Sequence, residues 1–207
     1  MNDTAPDQST DTEISEAQEI SEAPPEISEN TALDFEIQTD VQVQQAVEEI
    51  NQIEEIRPEV WQSLETGERL QTLQNIEDRM AAIQERPAVP ISAQEMDAGT
   101  FGGWSANDQT IRVNAAHLES DMHVSEFIDT IVHEGRHAFQ DYAIQNPGTV
   151  SDVDIVNAWA ENRMPGNYLN AEEYGQELYM AQPLEADAWN FAGRVTDGLN
   201  AANVERK

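Results

Sequence analysis

The chain has 207 residues, no cysteine and a formal net charge of −31. That length holds one ordinary domain and a tail but is short for two full domains. The lack of cysteine excludes disulfide scaffolds, thiol nucleophiles and cysteine-held zinc, so any metal would rest on histidine and carboxylate. A field this negative repels phosphate backbones and anionic lipid, so no nucleic-acid or membrane partner is expected.

The charge is unevenly spread: residues 1–56 carry 16 acidic and no basic side chains, and the remaining residues carry 25 acidic and 10 basic ones. Met1-Asn2-Asp3-Thr4 has neither a basic start nor an apolar run. No later stretch approaches the roughly 20 apolar residues of a membrane span. The expectation is synthesis as a soluble cytoplasmic chain, with secretion by a route lacking a cleaved signal peptide left open. Solubility is the simplest reading of the acidity, and salt adaptation or a basic protein partner are the alternatives.

Residues 1–40 read as a disordered acidic tail. They repeat Glu13-Ile14-Ser15-Glu16, Glu19-Ile20-Ser21-Glu22 and Glu26-Ile27-Ser28-Glu29, with prolines at 6, 24 and 25. So few large apolar groups cannot offset the entropy of ordering the segment. The spaced isoleucines offer an alternative, docking onto a chaperone or secretion partner. The rest of the chain, 41–207, is read as one domain beginning with helices. Val43, Val47, Ile50, Ile53 and Ile56 have helical spacing up to Pro58, and a second helix is predicted from Pro58 to about Glu85. Residues 86–98, with prolines at 87 and 90, read as a connection. Residues 99–104 and 110–114 flank a polar turn and predict a short hairpin. A strand in that place either binds substrate as an added strand or only roofs the core.

Asp121 is the predicted N-cap of a helix over about 122–145. Val124, Ile128, Ile131, Ala138, Phe139 and Tyr142 form its apolar stripe, and Asn146-Pro147-Gly148 ends it. This helix contains His133-Glu134-Gly135-Arg136-His137. Two imidazoles one turn apart share a face, and the intervening glutamate points beside whatever they hold. That spacing suits a catalytic zinc, which takes neutral imidazole nitrogen and keeps one position open for water. Glu134 would then be the general base. Gly135 within a helix costs about 1 kcal/mol relative to alanine, which predicts close approach of another element there. His117 and His123 precede the motif and read as surface or capping residues.

The third ligand is sought downstream. A further helix is predicted over Asp152–Arg163, followed by a Met164-Pro165-Gly166-Asn167 loop. Pro183 then suits a first helical turn, ahead of a stripe of Leu184, Ala188, Phe191, Val195 and Leu199. Glu185 lies at the edge of that stripe and is the strongest later ligand candidate, the alternative being a glutamate placed for the helix dipole. Asp187, on the other flank, would orient a ligand histidine or cap the helix. Tyr168, Tyr174 and Tyr179 could donate to a developing oxyanion; Tyr179 is favoured because it precedes the ligand helix, against the alternative of a buried tyrosine with a satisfied hydroxyl.

Ile131-Val132-His133-Glu134-Gly135-Arg136-His137-Ala138-Phe139-Gln140, taken with Tyr179, Gln182-Pro183 and Glu185-Ala186-Asp187-Ala188, resembles the zincin metallopeptidases of the glutamate-ligand group. The compact domains of bacterial polymorphic toxins and effectors are the nearest kind. The resemblance runs from about Trp61 to Phe191 and is specific at the two motifs. It implies an α+β, mainly α, zincin-like metallopeptidase domain with a small β hairpin or sheet before the metal-binding helix. It also implies that His133, His137 and Glu185 bind one Zn²⁺, that Glu134 is catalytic, and that the substrate is a protein or peptide. The chain lacks the Asn-Glu ligand motif of thermolysin-like enzymes, so their substrate preferences do not carry over. The alternative function is a non-catalytic zincin-scaffold binding module acting through protein interactions.

Overall fold

A computed structural model describes residues 29–205. They form a mainly helical structure around a small mixed sheet. Helix α1, Glu29–Ile50, leads through a 3₁₀ turn at Glu54–Ile56 to the single-turn α2, Pro58–Trp61, and then to α3, Thr66–Ile83. Strands β1 (Ile91–Gln94), β2 (Gly102–Ser105) and β3 (Thr110–Asn114) follow, then α4 (Ala115–Leu118) and α5 (Val124–Gln145). The chain ends in α6 (Val153–Asn162), α7 (Ala171–Tyr174), α8 (Gln176–Met180) and α9 (Pro183–Glu205). None of the described helices is long and apolar enough to cross a membrane.

The predicted tail boundary is corrected: residues 29–40 belong to α1. Phe35 sets its ring edge against Trp159 with centroids 5.8 Å apart, Gln38 donates to the Thr149 carbonyl, and Thr39 is buried. These partners lie more than a hundred positions away in sequence, so local composition carries no sign of them. The tail up to residue 28, with nearly all of its repeat, lies outside the described residues.

The single helix expected over 58–85 is two. The chain turns at Ser63–Glu65, and Glu65 starts α3 with a reciprocal capping box to Glu68. Residues 86–98 are more than a connection, because Ile91–Gln94 pairs in parallel with β3. The hairpin forms as expected, with β2 antiparallel to β3, and the sheet order β1-β3-β2 leaves β2 on an edge. The predicted cap Asp121 is also corrected. His123 occupies the N-cap of α5 without a side-chain bond, and Asp121 sits in the preceding turn. Asn146 closes α5, Asp152 caps α6 by accepting from the Asp154 and Ile155 amides, and α9 begins at Pro183, all as the sequence indicates.

The main core gathers α1, α3, β3, α5 and α9, with Ile50, Leu73, Ile111, Phe127, Ile131 and Phe191 fully enclosed. The helix stripe predicted for α9 is buried from Leu184 to Leu199. Behind Gly135 runs a buried Arg86–Glu77 ion pair at 2.7 Å, whose guanidinium also donates to the Gly135 carbonyl. A Cβ at Gly135 would stand 3.0 Å from Glu77 Oε2 and 3.2 Å from Arg86 Nη2, so the close approach expected there is real.

Candidate metal centre

Helix α5 presents His133 and His137 toward the first turn of α9, where Glu185 sits after Pro183. The two Nε2 atoms are 3.1 Å apart. Glu185 Oε2 lies 3.4 Å from His133 Nε2, and Glu185 Oε1 lies 3.3 Å from His137 Nε2. Bonds of about 2.0–2.1 Å in a tetrahedron set ligand atoms about 3.3–3.4 Å apart, and each histidine nitrogen has a Glu185 oxygen at about that separation, a different oxygen for each. Glu185 is 1% exposed and its Oε2 is buried with no hydrogen-bond partner, which leaves that oxygen's charge to be met by the neighbouring nitrogens or by a cation. His133, His137 and Glu185 thus form a buried group able to hold a metal ion.

The tautomer of His137 follows from its neighbours. Gln140 Nε2 donates to the Leu184 carbonyl at 2.9 Å and to Asp187 Oδ2 at 2.7 Å, which directs Gln140 Oε1 toward His137. That oxygen can only accept, so the contact of 2.8 Å puts the proton on His137 Nδ1 and leaves Nε2 with its lone pair facing Glu185. Asp187 therefore helps to orient His137, and does so through Gln140. Its carboxylate also takes a bidentate pair from Arg136 at 2.8 and 2.9 Å. Arg136 is fully buried between the rings of Phe139 and Phe191, 4.7 and 4.6 Å from their centroids. Gln140→Leu removes the acceptor while preserving bulk. Competition against a chromophoric chelator should then show zinc affinity lower by about 10–100-fold with the fold intact.

His133 has no comparable bond at Nδ1, which is buried and unpartnered. Its ring is held instead against Trp189, one helical turn beyond Glu185, with centroids 4.4 Å apart. Burial of Glu185 opposes its charge, but the adjoining His133 and His137 and the Tyr168 hydroxyl outweigh this and hold its pKa below the ordinary range. Burial likewise opposes a charge on His137, and Glu185 with Glu134 reverses the balance, raising its pKa.

Glu134 faces the same cleft as His137 and Glu185, and its Oε2 accepts the Trp104 main-chain amide of β2 at 2.6 Å. Strand and helix meet this closely because Gly102 has no side chain. A Cβ there would stand 2.7 Å from Thr130 Cγ2 on α5 and 2.6 Å from the Arg112 carbonyl. A cleft of about 360 Å³ opens between them, lined by Trp104, Glu134, His137, Tyr168, Tyr179 and Glu185, among others. Tyr168 donates to Glu185 Oε1 at 2.5 Å, and the Tyr179 ring stands nearly perpendicular to it, 6.2 Å away. Burial and the Glu185 charge push both phenol pKa values well above their usual 10.0, so both hydroxyls stay protonated.

The structure thus gathers Glu134, Tyr179 and the three ligand candidates in one place. His117 bonds the Ala98 carbonyl and His123 sits exposed at the α5 cap, so neither joins them. Sequence reasoning assigned no role to Gln140, Trp104 or Trp189. Gln140 stands three residues after His137 and so shares its face, a signal available in the sequence. No protein-family model, curated protein or solved structure matches the chain.

Proposed function

We propose that this chain is a zinc-dependent peptidase on a zincin-like domain, with His133, His137 and Glu185 holding one Zn²⁺ and Glu134 serving as general base. The observation that carries the reading is the buried pair of histidine nitrogens 3.1 Å apart, with one Glu185 oxygen 3.4 Å from the first and the other 3.3 Å from the second, beside a glutamate on an open cleft. Two imidazoles and a carboxylate are a donor set suited to zinc. When bound, zinc supplies a Lewis acid for a water molecule and a scissile carbonyl.

Glu134 is steadied by the Trp104 amide at Oε2, which leaves Oε1 to take a proton from water and return it to the departing amine. A peptide lying along β2 would extend the sheet at its free edge and bring a carbonyl toward the base. Tyr168 holds Glu185, and Tyr179 keeps the role of hydrogen-bond donor to the developing oxyanion. The substrate is a protein or peptide, and the chain's negative field favours substrates carrying positive charge. Work as a bacterial effector or toxin, with the acidic tail meeting a chaperone or secretion partner, fits this reading.

The test is hydrolysis of fluorescein-labelled histone, a basic protein, and metal content on one preparation. Activity should vanish on treatment with 1,10-phenanthroline and return with stoichiometric zinc. Zinc bound without any zinc-dependent cleavage would favour the non-catalytic binding module or an effector that cuts only one specific protein.

A further inference from the structure

We propose that Asp141 is a positioning residue of the cleft, tying the β2 wall through Trp104 and the wall after α6 through Arg163 to the helix that carries the metal motif. The inference rests on the peptidase reading. Asp141 is 6% exposed, and a carboxylate so enclosed must be paired. Its Oδ2 accepts the Trp104 indole N–H at 2.8 Å, and both its oxygens pair with the terminal nitrogens of Arg163.

Both partners line the same cleft as Glu134 and Glu185, which distinguishes this pair from an ordinary structural one. Trp104 is bonded to α5 twice, by its main-chain N–H to Glu134 and by its indole N–H to Asp141. Those carboxylates are two helical turns apart, roughly 10 Å along the axis. Pairing with β3 holds one edge of the strand, and the two bonds to α5 fix it against the helix at two points rather than one. The need is plain in the strand itself, since Gly102-Gly103 precedes Trp104 and contributes little stiffness. On the other wall, Arg163 ends α6, and Tyr168, which holds Glu185, follows in the same segment. One buried carboxylate thereby sets the place of the strand that meets the base and of the segment that meets the third ligand.

The experiment is hydrogen exchange read by mass spectrometry on the zinc-loaded full chain, with zinc content and histone hydrolysis measured on the same samples. In Asp141→Ala, exchange should rise about tenfold or more in both 102–105 and 163–168, while α3 and α9 keep their protection. Zinc should stay at one ion per chain, and kcat/KM should fall about 10- to 100-fold from misplacement of the walls. Trp104→Phe removes only the indole donor. It should loosen 102–105 and leave 163–168 protected, and it serves if Asp141→Ala does not fold. Unchanged exchange in both segments, or raised exchange with unaltered kcat/KM, overturns the proposal while the peptidase reading stands. A wild-type chain that holds zinc and cleaves nothing overturns the peptidase reading, and the catalytic part of this one with it.

Discussion

Glu134→Gln should keep one zinc per chain and lose hydrolysis, with kcat lower by about 10²–10⁴-fold or more. In the proposed mechanism Glu134 moves a proton and does not hold the metal, and its Oε2 accepts the Trp104 amide. Glutamine preserves shape and keeps an oxygen to accept the Trp104 amide, so strand β2 should stay in place. Metal analysis together with steady-state kinetics checks both halves. Full activity in the variant would defeat the assignment of the base, and loss of zinc would make Glu134 a ligand or a structural support.

His137→Ala should have the largest effect on the metal. It removes one of three donors and also releases Gln140 Oε1 from its partner, leaving a buried polar atom unpaired. Zinc affinity should drop by far more than the roughly hundredfold expected when only an orienting partner is lost. Glu185→Ala should behave alike, with the added exposure of the Tyr168 hydroxyl to an emptied space. Equilibrium dialysis against buffered zinc is the direct measurement. Stoichiometric zinc retained at micromolar free metal in either variant would remove that residue from the ligand set.

Much of the centre was legible because its signals are local. The histidines sit one turn apart in a strongly amphipathic stretch, and Pro183 with the Leu184–Leu199 stripe locates Glu185 at a helix start. Asp152 marks its own helix by capping it. What escaped depends on partners remote in sequence. β1 exists because Ile91–Gln94 finds β3 across an intervening strand, and α1 begins early because Phe35 and Thr39 are covered by later segments. The break at Ser63–Glu65 was hidden by apolar residues that keep helical spacing on both sides of it. The sequence around Arg136 carries no sign that it is buried. Its burial follows from Asp187 and four surrounding aromatic rings drawn from four helices, a convergence no single window contains.

The position of Glu185 has a topological consequence. His137 and Glu185 stand at the two ends of an excursion 48 residues long that includes α6, α7 and α8. A cation shared between them closes that excursion into a ring and removes the entropy that its ends would gain on separating. Loading the centre would therefore act as a clasp on the whole segment from α6 to α8, well beyond the atoms that touch the ion.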